Sequence, residues 1–262
     1  MSVRHEVNFD LSSFYLKERG LELNNYNLDR RIRVRETRLP VGSMLSRKLS
    51  FTPPKHFSST YFEKSFHFSS EAIAHPIKKS YFGYFQSPKY FSEFSSEIKR
   101  IFTLSRISNT MSKLQESIDF AESVAIHIRR GDYVGKEKFH GLSTEKYFRN
   151  ALDLIQLNNS QKKIVVFSED YLTAKNIFPE AWKIITPEIL NSPCENLALM
   201  SKFENFIGSN SSFSWWSAFL SEKREGLDIF PRPWFSDVKF NDRDLLMPNW
   251  ITLGNDGTNA ND

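Results

Sequence analysis

Five short apolar runs in the second half of the chain, at 124–128, 164–167, 183–186, 205–208 and 227–230, constrain the fold more than any other feature. Each is too short for a helix and is built from β-branched or aromatic residues in near-continuous sequence. That is the pattern of a strand buried on both faces. Between the runs lie segments of helical period. Tyr147, Phe148, Ala151, Leu154 and Ile155 recur at three-to-four spacing, as do Leu197, Met200 and Phe203. Strands that alternate with helices form parallel, doubly wound sheets, because each crossover helix returns the chain to the same edge. The expectation is therefore an α/β fold with ligands in the crevice beyond the strands' carboxyl ends.

The chemistry-bearing residues gather at those ends. The run at 124–128 leads into His127-Ile128-Arg129-Arg130-Gly131-Asp132-Tyr133. Two adjacent arginines behind a buried strand are costly to pack and should face an anion in a cleft. The planar fork of arginine suits phosphate oxygens and stays charged at any working pH. The plainer alternative is a solvated basic loop. Arg130-Gly131-Asp132 is also a tripeptide read by adhesion receptors, but a loop directly behind a buried strand displays it poorly.

After Phe206-Ile207-Gly208 comes Ser209-Asn210-Ser211-Ser212-Phe213-Ser214-Trp215-Trp216. Serine and asparagine are good N-caps, so a helix should begin near Ser211 or Ser212. A strand, a turn of small residues and a helix N-terminus together offer free backbone N–H groups to a phosphate. An ordinary capped helix with Trp215 and Trp216 in the core fits the same residues. A third strand ends in Ser168-Glu169-Asp170, where a nucleotide fold often holds a ribose or base edge; helix capping by Ser168 or Asp170 accounts for it equally. A fourth piece is Asp132, Glu137 and His140, in which a carboxylate could take the proton of an attacking hydroxyl. Asp132 could instead pair with Arg129 or Arg130, and Glu137, inside Lys136-Glu137-Lys138, could be plain solvated surface.

Residues 1–118 are less regular. Glu6-Val7-Asn8-Phe9-Asp10 reads as a short strand, and Pro53-Pro54 breaks any helix in the Ser-, Phe- and His-rich stretch 43–76. The dense run from Tyr81 to Phe91 reads as a strand turning into a helix. A polar helical segment around 105–122 suggests a junction, hence two halves, 1–118 and 119–262. With 40% hydrophobic residues the chain is of the soluble globular kind, and a formal charge of +4 suits small anions or a membrane surface better than nucleic acid. A single cysteine, Cys194, rules out an internal disulfide or a cysteine metal cluster. The first ten residues do not read as a signal peptide, and no stretch approaches the roughly 20 apolar residues of a membrane span. The expected location is cytoplasmic.

Taken together, several segments resemble the bacterial α1,2-fucosyltransferases of glycosyltransferase family 11. They are residues 127–133, Phe-Ser-Glu-Asp at 167–170, Ser-Asn-Ser-Ser-Phe-Ser-Trp-Trp at 209–216, Gly83 to Phe91, Glu195 to Ser201, and Phe230-Pro231-Arg232-Pro233-Trp234. The resemblance covers about residues 5 to 250. It implies a GT-B-like protein of two Rossmann-like halves, with acceptor contacts in the first and GDP-fucose in the second. It implies an inverting galactoside α1,2-L-fucosyltransferase that needs neither metal nor cofactor. Its acceptor would be an oligosaccharide or lipid-linked glycan of surface polysaccharide or O-antigen synthesis, reached by peripheral contact with the cytoplasmic membrane.

The implied roles are Arg129 and Arg130 on the diphosphate, His127 near the nucleotide, Asp170 near ribose or guanine, and Asn210, Ser211 and Ser212 at the phosphate-facing helix end. Asp132 and Glu137 are the base candidates, the latter by its likeness to the loop of α1,6-fucosyltransferases. The one Asp-x-Asp spacing, Asp242-Arg243-Asp244, reads as surface and not as a metal site. Members of the family open on a strand and a Gly-rich turn leading into a helix. This chain starts at what resembles the second strand, about thirty residues later, so its first half is expected to be incomplete. The alternative function is an inactive or regulatory nucleotide-sugar-binding remnant.

Overall fold

A computed structural model describes residues 5–10, 25–27, 32–37, 60–74, 80–130, 143–158, 161–221, 225–237 and 240–258. Asp132, Glu137 and His140 lie outside them. The chain divides into two compact units, Met1–Ser105 and Arg106–Asp262. The polar helix placed before the sequence junction at 118 thus belongs by its contacts to the second unit.

In the first unit, β1 (His5–Asp10) pairs in parallel with β2 (Ile32–Thr37), and β3 (Thr60–Phe62) pairs in parallel with β4 (Ser80–Phe82). Between β3 and β4 lies the short helix α1 (Ser70–Ala74). The expected strand-to-helix change after Tyr81 occurs through two 3₁₀ turns, Pro88–Tyr90 and Ser92–Phe94, into α2 (Ser95–Ile101). Parallel pairing in this unit places it in the same α/β class as the second. A buried carboxylate fixes the turn after β4: Glu63 accepts from the backbone amides of Tyr84 (2.6 Å) and Phe85 (3.0 Å). Phe85 sits there at φ 47°, a left-handed conformation that a non-glycine residue holds only against some strain.

The second unit opens with α3 (Asn109–Ser117), capped by Ser108, whose hydroxyl accepts from Met111 N. The sheet then follows in the order the apolar runs predict: β5 (Ser123–Ile128), α4 (Glu145–Asn158), β6 (Lys163–Ser168), α5 (Tyr171–Ile177), β7 (Lys183–Ile185), α6 (Pro193–Met200), β8 (Asn205–Ile207), α7 (Ser212–Phe219) and β9 (Asp228–Pro231). A sixth strand, β10 (Ile251–Leu253), was not anticipated; its three residues sit among Pro, Asn and Gly and give no run to detect.

All six strands are parallel, in the spatial order β10-β9-β8-β5-β6-β7. Counted within this unit that is 3-2-1-4-5-6, the dinucleotide-fold order, with its reversal between β5 and β8. Strand alternation divides the core between the two faces. Val124, Ile126 and Ile128 join Tyr147, Phe148, Ala151 and Ile155 of α4 in one cluster. Ala125 and His127 point the other way, toward α7, and His127 lies 5.5 Å from the Phe213 ring. No described helix is long and apolar enough to cross a membrane.

Candidate active site

The reversal of strand order brings two segments distant in sequence to one crevice, the loop after β5 and the turn after β8. Their backbones are stitched by Ser209. Its hydroxyl donates to His127 O (2.6 Å) and accepts from Arg129 N (3.0 Å), fixing the exit of β5 at the point where the arginines begin. On the other side of β5, the Ser168 hydroxyl at the end of β6 donates to Ile128 O at 3.1 Å. His127 and Ile128 are therefore the last two strand residues, and the loop starts at Arg129.

Gly208 precedes Ser209 because nothing larger fits. A Cβ there would stand 2.3 Å from Phe230 Cε1, and the Phe230 ring is fully buried and stacked on Trp250 at 4.5 Å. Gly208→Ala must displace that ring or the strand end, at a cost of about 1–3 kcal/mol. A lowered urea midpoint together with weakened ligand binding is the expected result; an unchanged midpoint would show that the ring yields freely.

The helix starts where the sequence places it. Ser211 is the N-cap, its hydroxyl accepting from Phe213 N at 3.3 Å. Four amides at a helix start lack intrahelical partners. Here Ser211 N is satisfied by Ser209 O and Phe213 N by the cap, so among the described residues the amides of Ser212 and Ser214 remain as donors. Asn210 is fully buried and its amide donates to Trp234 O (3.1 Å), so it shapes the turn. Trp215 is core, as expected, with its Nε1 donating to Leu245 O at 2.7 Å.

The arginines differ. The Arg129 guanidinium is largely buried and pairs with Glu169, one of the two acids at the end of β6, a partnership the sequence did not indicate. Arg130 is half-buried and makes no ion pair among the described residues. Asp170 caps α5, accepting from Thr173 N (3.0 Å) and Thr173 Oγ1 (2.6 Å). Those two bonds hold its carboxyl below the usual range, with the Leu172 amide and the charge of Arg130 adding to them. The capping reading of Asp170 is thus realised, and it stands near Arg130 at the mouth of the crevice.

His127 is buried, and its pKa is lowered to about 3, first by desolvation and then by the positive charge of Arg129. It is neutral at any physiological pH. Its Nδ1 meets Ser214 Oγ at 2.5 Å, a partnership across 87 residues that sequence reading could not see.

One expectation is corrected. The Asp242-Arg243-Asp244 segment is not surface, since both carboxylates are buried. Asp242 accepts from Trp234 N (2.7 Å) and from Arg232 Nε (3.2 Å), anchoring the Pro-rich turn after β9. The buried amide of Trp234 demands an acceptor, and this aspartate supplies it. Among the described residues, no group of three or more His, Cys, Asp or Glu side chains is arranged to hold a metal ion.

Residues 49–254 match the family model of glycosyl transferase family 11. An alpha-1,2-colitosyltransferase of Escherichia coli is 29% identical over 249 residues, 91% of this chain and 85% of that protein. The O-antigen biosynthesis glycosyltransferase WbnK of Escherichia coli is 36% identical over 140 residues, 51% of this chain and 45% of its own length. Among solved structures, a glycosyl transferase of family 9 from Veillonella parvula aligns over 96% of this chain and 77% of that chain. Its TM-score is 0.46 at 10% identity. With the family model spanning most of the sequence, the chain belongs to glycosyl transferase family 11 and is a glycosyltransferase.

Proposed function

We propose that this glycosyltransferase transfers L-fucose from GDP-fucose to a galactoside with inversion, forming an α1,2 linkage in a surface polysaccharide or O-antigen. The observation that carries the reading is the reversal of strand order between β5 and β8, where the Ser209 hydroxyl ties the start of the arginine segment to the turn that leads into α7; in this topology such a reversal is where a nucleotide diphosphate binds. As the bond from sugar C1 to the phosphate oxygen breaks, negative charge collects on the leaving diphosphate and the sugar becomes oxocarbenium-like. Fixed cations and helix amides already aimed there stabilise that charge without reorganisation. With arginine in that role the reaction needs no divalent metal. The acceptor hydroxyl loses its proton to a carboxylate that follows Arg130 in the sequence, either Asp132 or Glu137.

A second donor is favoured by one observation: the relative aligned along most of this chain is named for colitosyl transfer. Colitose is fucose without its 3-hydroxyl. A site that hydrogen-bonds that hydroxyl would reject the deoxy sugar strongly, whereas one that does not would accept both. The test is turnover of GDP-fucose and GDP-colitose with a β-galactoside acceptor, with EDTA present, and analysis of the product linkage. Fucosyl transfer in α1,2 linkage with EDTA supports the proposal. Exclusive use of the colitosyl donor replaces it with the second reading. Tight GDP binding without turnover of either donor would identify a nucleotide-sugar-binding remnant.

A further inference from the structure

The hydrogen bonds around His127 determine which of its ring nitrogens carries the proton. Ser209 Oγ has one proton, which goes to His127 O, while its lone pair takes Arg129 N–H. Ser214 Oγ accepts from Ser209 N at 3.2 Å and lies 2.5 Å from His127 Nδ1. Ser214 is completely buried, so water cannot take its hydroxyl proton. A helical serine can instead turn back to the carbonyl four residues earlier, as Ser217 does to Phe213 O, but no such bond to Asn210 O is formed by Ser214. If Nδ1 carried the ring proton, Ser214 Oγ would accept twice and its own proton would be buried without an acceptor, at a substantial free-energy cost. The network is satisfied when Ser214 donates to Nδ1, which places the proton on Nε2.

That second nitrogen is the one left to act. Among the described residues no hydrogen bond ends on Nε2, and His127 lies at the carboxyl end of β5 within the field of Arg129.

We infer that Ser214 is a positioning residue that locks His127 as the neutral Nε2–H tautomer, making its imidazole a fixed hydrogen-bond donor to an anionic oxygen of the nucleotide-sugar and not a proton-transfer group. The role of that donor rests on the donor-site reading above; the tautomer does not. A neutral donor here has a physical advantage. Arg129 already supplies charge at this point, and a histidine that protonated under it would repel that arginine. The groups facing His127 are Ser214 and Phe213 from α7, Ser209 from the turn after β8, and the charge of Arg129 from its own segment.

The experiment is long-range ¹H–¹⁵N spectroscopy of the full chain with histidine labelled in the ring, from pH 5 to 8, without and with GDP. His127→Gln assigns the signal. The expected spectrum is a single Nε2–H tautomer that does not titrate, whose Nε2 resonance shifts on adding GDP. In Ser214→Ala the ring should lose its fixed tautomer, and GDP affinity should fall about tenfold, the equivalent of one hydrogen bond. An Nδ1–H tautomer or a titrating ring in the unmutated protein overturns the inference, whatever becomes of the variant. So does an Nε2 signal unmoved by bound GDP. A protein that binds no GDP sinks the donor reading instead, while the spectrum without nucleotide still decides the tautomer.

Discussion

Arg130→Ala is expected to lower kcat by about 10² to 10³ while leaving the protein folded. Both halves of that expectation come from the way the two arginines are held. Arg129 is largely buried and paired with Glu169, so removing it would strand a carboxylate and mix a structural effect with a catalytic one. Arg130 is half-buried and has no ion pair among the described residues, so its removal orphans nothing. What it does lose is a cation just beyond the carboxyl end of β5, which in the proposed reaction stabilises the charge that develops as the donor bond breaks. A preorganised charge in such a crevice stabilises the transition state more than the bound ground state, so kcat should fall further than donor affinity. The check is steady-state kinetics beside a urea titration. A loss smaller than tenfold at an unchanged midpoint would place Arg130 away from the leaving group.

Acidification is expected to destabilise the protein in a window set by His127. Its folded pKa is about 3, against 6.5 for the free side chain. Between those values the unfolded chain binds a proton that the folded chain refuses. Stability therefore rises with pH across the window and is lost as pH falls from 6.5 toward 3. One proton corresponds to a slope of about 1.4 kcal/mol per pH unit, so the whole window amounts to about 5 kcal/mol. The depressed carboxyl of Asp170 also loses its contribution on acidification, but only as pH falls below the ordinary carboxylate range. A decline that begins near pH 6.5 is thus the signature of the histidine. Urea unfolding at several pH values, compared with His127→Gln, isolates it, since glutamine cannot titrate. Parallel pH profiles in the two proteins would mean that His127 is hydrated in the native state.

The apolar runs predicted five of the six strands in the second unit, because a strand buried on both faces must be apolar throughout and that is visible locally. The start of α7 was visible for the same kind of reason. A cap is a contact between near neighbours, and Ser211 with its bond to Phe213 N is written in adjacent residues. The burial of Asp242 was not visible. Acid-basic-acid in a polar stretch has the composition of a surface, and only the approach of the Trp234 amide and of Arg232 makes it interior. Asp170 shows the intermediate case: sequence alone left a helix cap and a ligand contact equal, and the structure shows the cap.

By itself, then, the sequence determined the α/β class, the strand ends at which the chemistry gathers, and the family whose motifs those ends carry. These rest on periodicity, capping and residue type, all of them short-range. Tertiary structure decided the strand order, since only the adjacency of β5 and β8 ties the backbone at Arg129, through Ser209, to the turn before α7. It also decided the separate duties of the two arginines and the protonation of His127. Those depend on Glu169 and Ser214, partners 40 and 87 residues away, and a contact between such distant residues exists only once the sheet has closed around it.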